Sequence, residues 1–448
     1  MTANKVTGFY ALFAIQFLLI ACKIFMMNVK VGLFSLLLTI ICCALTIIQL
    51  SNDEKTDWRP GNNLMLILFA FWTAYCIMEI GNPNTVMAAW NVSMVPYALI
   101  PLICAFLTPI VIRTVKDIEK LLLIWSVFAI IVTIKTLWQQ FIGFSEIDRY
   151  FLYALGGWRT HIIWSGIRYF SCFSDAAAYG IHAAVISVVF GISAFYTQGK
   201  WKRLYYLLIS GCGLYGMGVS GTRAAIAVVL VGLAMTAVLA KNTKVIGISA
   251  TILAATFCFF YFTTIGNGNA FIFKMRSAFR PTQDASYIVR VENRKKMKVL
   301  MASKPIGYGL GLSKAGGEIQ PRERMPYPPD SWLIAVWVET GIIGICLYLG
   351  IHGFLFAWGS YLLMFKVKNK RLRGMAGAWL CANAGFFVAC YANDAMQYPN
   401  PIVVYTGFAI CFAAPFIDKR IEAEQKEKKG EETPASELPA KPVNFNLI

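Results

Sequence analysis

This sequence predicts an all-α protein that crosses a membrane about twelve times, on three observations. Of its 448 residues 58% are hydrophobic and only 14% are charged, about half the charged share of a soluble domain. Apolar runs of about 18 or more residues recur from Thr7 almost to Asp418, each long enough for a hydrocarbon core of about 30 Å. Lys and Arg, which give a formal charge of +18, gather in alternate loops. An ordinary soluble globule is excluded.

Twelve spans are expected, near residues 8 to 27, 31 to 50, 62 to 80, 94 to 112, 120 to 142, 175 to 196, 204 to 220, 223 to 240, 245 to 265, 333 to 365, 374 to 392 and 400 to 417. Lys5 and the run ending Leu19-Ile20-Ala21-Cys22 imitate a lipoprotein signal. A first transmembrane helix explains the same residues in a chain that keeps crossing the membrane. With the N-terminus in the cytoplasm, Lys55, Arg59, Arg113, Lys116, Lys120, Lys200, Lys202, Arg203, Lys241, Lys244, the Lys366–Arg373 loop, Lys419 and Arg420 all lie inside. The short loops after spans 3 and 11 hold no Lys or Arg, so the positive-inside rule puts both termini in the cytoplasm. Residues 1–417 form one transmembrane domain, and 418–448, rich in Glu, Lys and Pro, form a disordered tail. The 12 cysteines fall largely in apolar runs without a CxxC pair, which indicates neither a zinc nor a redox site.

Two outward segments break the pattern of short loops. Residues 143–174 carry aromatics (Tyr150, Phe151, Tyr153, Trp158, Trp164, Tyr169 and Phe170 among them) with Arg149, Arg159 and Arg168, a composition suited to a helix or two lying in the interface. Residues 266–330 carry twelve Lys or Arg against five Asp or Glu, a net charge of +7 on the side where cations are disfavoured. Contact with lipid head groups accounts for most of the lysines. Arginines call for more, because a guanidinium donates two parallel hydrogen bonds to a phosphate and stays charged at any accessible pH. Arg223 follows a small-residue turn, Ser220-Gly221-Thr222, at the outer membrane boundary. Arg290 and Arg294 are four apart in a helical pattern from Ser286 to Ser303, so they face the same way. That pattern ends at Lys304-Pro305-Ile306-Gly307-Tyr308-Gly309-Leu310-Gly311; no strand precedes these glycines, which argues against a dinucleotide site. Lys23 and Lys135, near the outer ends of spans 1 and 5, read as snorkelling side chains.

Arg290, then Pro305-Ile306-Gly307-Tyr308-Gly309, then Asp330-Ser331-Trp332-Leu333-Ile334 and Glu339-Thr340-Gly341-Ile342-Ile343-Gly344 together resemble the O-antigen ligase and polymerase family. The pattern there is an arginine, a proline with close-spaced glycines, and HNxxL followed by ExGxxG opening a long helix. Ser220-Gly221-Thr222-Arg223 is also similar to that family. The resemblance covers about residues 170 to 415. It implies a GT-C-type membrane glycosyltransferase acting on polyprenyl-diphosphate glycans at the outer face of the inner membrane. Where the family has histidine, this chain has Asp330. His182 and His352 lie within spans as packing residues, and His161 is the histidine placed to substitute.

The chemistry also follows from first principles. A sugar on a polyprenyl diphosphate is already activated. The enzyme must therefore hold the leaving diphosphate, take a proton from the acceptor hydroxyl and align the two. Arg223, Arg290 and Arg294 are expected to bind the diphosphate and Asp330 to act as catalytic base, with Ser331, His161, Arg168 and Tyr308 as further substrate contacts. Neither outward loop holds Asp-x-Asp, so an inverting, metal-independent enzyme without a cofactor is expected, guanidinium groups supplying the counter-charge. Its partners are the lipid-linked donor, a sugar acceptor and membrane lipid, with no nucleic acid. A polymerase of surface-polysaccharide repeat units comes first, a ligase to lipid A core or protein second, and a transporter of lipid-linked glycan third.

Overall fold

The computed structural model describes residues 6–22, 31–163, 166–279, 285–313, 327, 329 and 331–428. Lys23, Asp330 and the chain beyond 428 lie outside the described residues. Every expected span has its helix. α1 (Thr7–Ala21), α2 (Val31–Ser51) and α3 (Leu64–Met78) are followed by α4 (Met87–Met94), which passes through a π turn at Pro96 into α5 (Ile100–Val111). α6 (Val115–Leu137) starts at a capping box, Thr114 and Asp117 each bonding the other's backbone N–H. After the short α7 (Glu146–Arg149) and α8 (Trp158–His161) come α9 (Ala176–Tyr196), α10 (Lys200–Val219), α11 (Ala224–Leu239) and α12 (Thr243–Phe262). α13 (Ala270–Ala278) and α14 (Ala285–Met301) lie in the basic stretch 266–330, and α15 (Trp332–Tyr361), α16 (Lys370–Ala392) and α17 (Asn400–Lys428) follow. Eight of these helical segments are long and apolar enough to cross a membrane, and α1, Leu36–Ser51 of α2 and α11 are shorter apolar helices. α17 continues past Ile417 to Lys428, with Lys368 3.0 Å from Glu422 and Arg420 3.4 Å from Asp57, so the first part of the expected disordered tail is helix.

Helices α9 and α16 form the centre. Lipid tails are as apolar as the side chains, so their association rests on close packing. Small residues allow it: a Cβ on Gly385 of α16 would come within 2.3 Å of the Val228 carbonyl of α11, and one on Gly213 of α10 within 2.5 Å of the Ala183 carbonyl of α9. Between them Trp125, Trp379, Phe17 and Phe190 stack in a buried aromatic cluster. α12 is the outlier, only 6% of its apolar stretch being covered by the rest of the protein.

The turns fall into two faces. One holds the segments 52–63, 112–114, 197–199, 240–242 and 367–369, laced by ion pairs: Arg113 to Asp53 at 3.6 Å, Lys202 to Glu119 at 2.7 Å and Arg371 to Glu119 at 2.5 Å. We call it the basic face. The other, the loop-rich face, holds 143–163, 166–175, 220–223, 263–279, 285–313 and 393–399, joined by hydrogen bonds such as Trp332 N–H to the Asn393 carbonyl, 3.1 Å. In the 143–174 segment the helices are short, and a hairpin of two-residue strands, Ile162–Ile163 with Gly166–Ile167, follows them.

Two expectations are corrected here. Lys135 does not snorkel. It is buried, with Nζ 2.8 Å from Asp148 Oδ2 and 3.1 Å from Ser145 Oγ, and so ties α7 to the end of α6. Nor is α15 one unbroken helix. Gly341 adopts φ 68° and ψ −167° inside it, a conformation open only to glycine. The break exposes carbonyls that Pro305-Ile306-Gly307-Tyr308-Gly309 occupies like a short strand. Tyr308 N–H donates to the Val338 carbonyl and Gly309 N–H to the Glu339 carbonyl, both at 2.9 Å, and Ile342 N–H donates to the Pro305 carbonyl at 3.0 Å. The fit is tight, since a Cβ on Gly307, itself at φ 82°, would lie 2.5 Å from the Glu339 carbonyl oxygen. Asn82 donates to the Ile306 and Gly307 carbonyls, 3.2 Å each, and buried Glu339 accepts from Ser313 N–H at 3.2 Å and from its hydroxyl. The Pro-Gly motif is therefore a wedge that seats the basic region on the membrane domain.

Candidate active site

At the loop-rich face the chain brings together cations from four separate segments. Arg168 leaves the hairpin and is held by three bonds, Nε to the Ser220 carbonyl (3.2 Å), Nη2 to Thr222 Oγ1 (3.1 Å) and Nη1 to the Thr160 carbonyl (3.2 Å). It thus clamps the Ser220-Gly221-Thr222 turn from which Arg223 projects. That turn needs its glycine, which sits at φ 59° with Lys274 Nζ 3.3 Å from where a Cβ would be. Arg223 Nη1 donates to Ser277 Oγ of α13 at 3.0 Å, bringing α13 and its Lys274 over the turn.

Arg290 and Arg294 do face the same way, and both meet the C-terminal end of α16, where carbonyls carry the negative end of the helix dipole. Arg290 Nη1 donates to the Ala392 carbonyl at 2.9 Å. Arg294 donates to the Tyr391 hydroxyl at 2.7 Å and to its carbonyl at 3.2 Å, with its guanidinium 4.4 Å from the Tyr391 ring centre. A narrow cleft runs between α14 and the start of α15, lined by Arg290, Arg294, Pro329 and Ser331. Asp330 falls between the last two in sequence but outside the described residues.

The cations perturb one another. Burial lowers the Arg168 pKa, with Arg290 adding to the effect and Asp175 opposing it. Burial, then repulsion from Arg168 and Arg223, pulls Lys274 down from 10.5 to about 8. Asp175 is a residue the sequence did not single out. It caps α9, Oδ2 accepting from Ala177 N–H at 2.9 Å, and is the carboxylate that balances Arg168. Such a cation group, half-buried and mutually repelling, is stabilised by an anion with several oxygens. Among the described residues no group of three or more His, Cys, Asp or Glu converges as a metal site requires.

The remaining candidates take structural positions. Ser331 is buried and caps α15, accepting from Ile334 N–H at 3.3 Å. Tyr308 packs on Met297, Met301 and Val338, with Lys304 Nζ 5.4 Å from its ring centre. His161 is buried against Phe151 and Phe170, its Nδ1 bonded to the Gly157 carbonyl at 2.8 Å and its Nε2 accepting from Ala176 N–H at 3.2 Å. Burial lowers its pKa. It locks the hairpin onto the start of α9. His182 and His352 are interhelical, His182 between Trp125 and Asn400 and His352 beside Tyr348 and Tyr405.

Sequence reasoning named Arg168, Arg223, Arg290 and Arg294 as candidates from their residue type and setting, and the fold brings the first three near one another. The same reasoning counted Lys274 among head-group contacts, because nothing local marks a lysine that only folding brings over a turn fifty residues away.

No curated protein matches the chain. Residues 204–349, from α10 through the first half of α15, match the family model described as O-antigen ligase. That stretch contains Arg223, Lys274, the arginines of α14, the wedge and the break in α15. Over residues 204–349 this membrane-spanning chain is therefore similar to the O-antigen ligase family.

Proposed function

We propose that the protein transfers glycan from a polyprenyl-diphosphate donor to an acceptor sugar hydroxyl, polymerising repeat units of a surface polysaccharide. The convergence of Arg168, Arg223, Lys274 and Arg290 carries this reading. The leaving group bears two phosphates, and preorganised cations favour the charge that builds on it as the glycosidic bond breaks. Arg223 and Arg290 bind the diphosphate directly, with Arg294 and Lys274 beside them. Arg168 holds the turn that presents Arg223 and adds to the field. Asp330 takes the acceptor proton as the hydroxyl attacks the anomeric carbon, an inverting displacement that needs no metal. Ser331 supports that role, for it already caps α15, and capping is the competing explanation for a carboxylate at that point.

The positive-inside rule places the basic face in the cytoplasm and the loop-rich face on the outer side of the inner membrane. A ligase joining glycan to lipid A core or protein is the alternative, and it would use the same donor site. Incubating purified protein with a lipid-linked repeat unit alone separates the two. A polymerase yields longer lipid-linked chains, and a ligase leaves the donor unchanged until its own acceptor is added.

A further inference from the structure

A second cationic site lies at the basic face, remote from the chemistry. A cavity of about 190 Å³ opens between α9, α11, α12 and α16, against the roughly 10–15 Å³ that holds one water. Its mouth carries Lys241, Lys370 and Arg373, and its inner wall is apolar, formed by Ile192, Leu239 and Leu363. No carboxylate lines it. The acids nearby are committed elsewhere: Glu119 to Lys202 and Arg371, Glu422 to Lys368, and Asp418 to the Lys368 and Asn369 backbone N–H groups at 2.8 and 2.9 Å. Lys241 rests 5.1 Å from the Phe365 ring centre, and among the described residues none of the three cations has an ion-pair partner. The first turns of α12 and α16 both meet the cavity, adding the positive ends of two helix dipoles. Its sides are shaped for a guest. Tyr196 lies against Gly374, where a Cβ would come within 2.1 Å of the ring, while at Gly377 the nearest atom to a Cβ is 3.8 Å away, leaving space. α12, barely covered by its neighbours, leaves the apolar depth open toward lipid.

We propose that this cavity binds an anionic phospholipid, its phosphate at Lys241, Lys370 and Arg373 and its glycerol and upper acyl chains along the Leu239 and Leu363 wall. Charge at the mouth with an apolar interior continuous with the membrane fits a lipid and not a free anion. Occupancy fills the gap that the poorly packed α12 leaves beside α16. The proposal is independent of the glycan-transfer reading, since no residue is shared between the two sites.

Native mass spectrometry of the full-length protein, titrated with phosphatidylglycerol, phosphatidylcholine or inorganic phosphate, tests it. Wild-type protein retains phosphatidylglycerol over phosphatidylcholine, and millimolar inorganic phosphate does not displace it. The double variant Lys370→Gln/Arg373→Gln loses about thirtyfold in affinity, the equivalent of about 1 kcal/mol for each charge. Gly377→Leu fills the cavity with the charges intact and releases the lipid as well. Equal retention of the two lipids by the wild type, or wild-type retention in either variant, overturns the proposal. Displacement by inorganic phosphate also overturns it, in favour of a free-anion site.

Discussion

Arg223 and Arg290 reach the candidate site from different elements, Arg223 from the turn before α11 and Arg290 from α14. Arg223→Ala and Arg290→Ala are each expected to lower turnover on the order of a hundredfold, as loss of one oriented donor to a developing anion costs about 3 kcal/mol. Lys in either position recovers little, since a point charge lacks the planar fork; steady-state rates on the purified variants measure both. Lys274 sets a pH dependence. With its pKa near 8, it loses its charge as pH rises through that value, so kcat/KM for the donor falls above about pH 8 and Lys274→Arg removes the fall. Stability of the donor-free protein moves the opposite way. Between about 8 and the ordinary lysine value of 10.5 the unfolded chain binds the extra proton, so the folded state gains as pH rises. Asp330→Asn is expected to fold normally and lose activity, with Asp330→His retaining some. Equal rates for Asp330→Asn and wild type would remove the proposed base.

At the scale of elements, hydropathy located a helix at each expected span, eight of the helical segments being long and apolar enough to cross a membrane, because a run of apolar residues needs no partner to be recognised. The same holds for α14, whose helical pattern and paired arginines are local. What the sequence left unread depends on contact between distant segments. Gly341 looks like any glycine in an apolar run, and its break becomes visible only with Pro305 and Gly309 bonded to the open carbonyls. Gly341→Ala forces a side chain to within 1.9 Å of the Pro305 carbonyl oxygen. Backbone strain alone should cost about 1–3 kcal/mol, read as a lower melting temperature and faster proteolysis in residues 266–330. Lys135 was misread for the same reason, because its partner Asp148 lies beyond a turn in the next element. Lys135→Met should destabilise by about 3–5 kcal/mol by stranding a buried carboxylate, and Lys135→Met/Asp148→Leu should recover much of that loss in thermal unfolding.

For the whole molecule, both faces are basic, but they use charge differently. On one face Arg113, Arg420, Lys202, Arg371 and Lys368 pair with Asp53, Asp57, Glu119 and Glu422 across helix ends, which ties the ends of the bundle together. On the other, Arg168, Arg223, Lys274 and Arg290 converge near one turn, with Asp175 beside Arg168. Reporter fusions after Gly311 and Ala423 are expected to show opposite sides of the membrane, Ala423 cytoplasmic. The candidate residues Arg168, Arg223 and Arg290 were legible from residue type and the family motif, whereas the approach of Lys274 to them is a product of the fold.

The most direct test of the diphosphate site is equilibrium binding of polyprenyl diphosphate, without sugar, to purified wild-type, Arg223→Ala and Arg290→Ala protein. The wild type is expected to bind, and each variant to bind roughly tenfold to a hundredfold more weakly, as the loss of charge-assisted hydrogen bonds requires. Binding of equal strength by all three proteins would contradict the account.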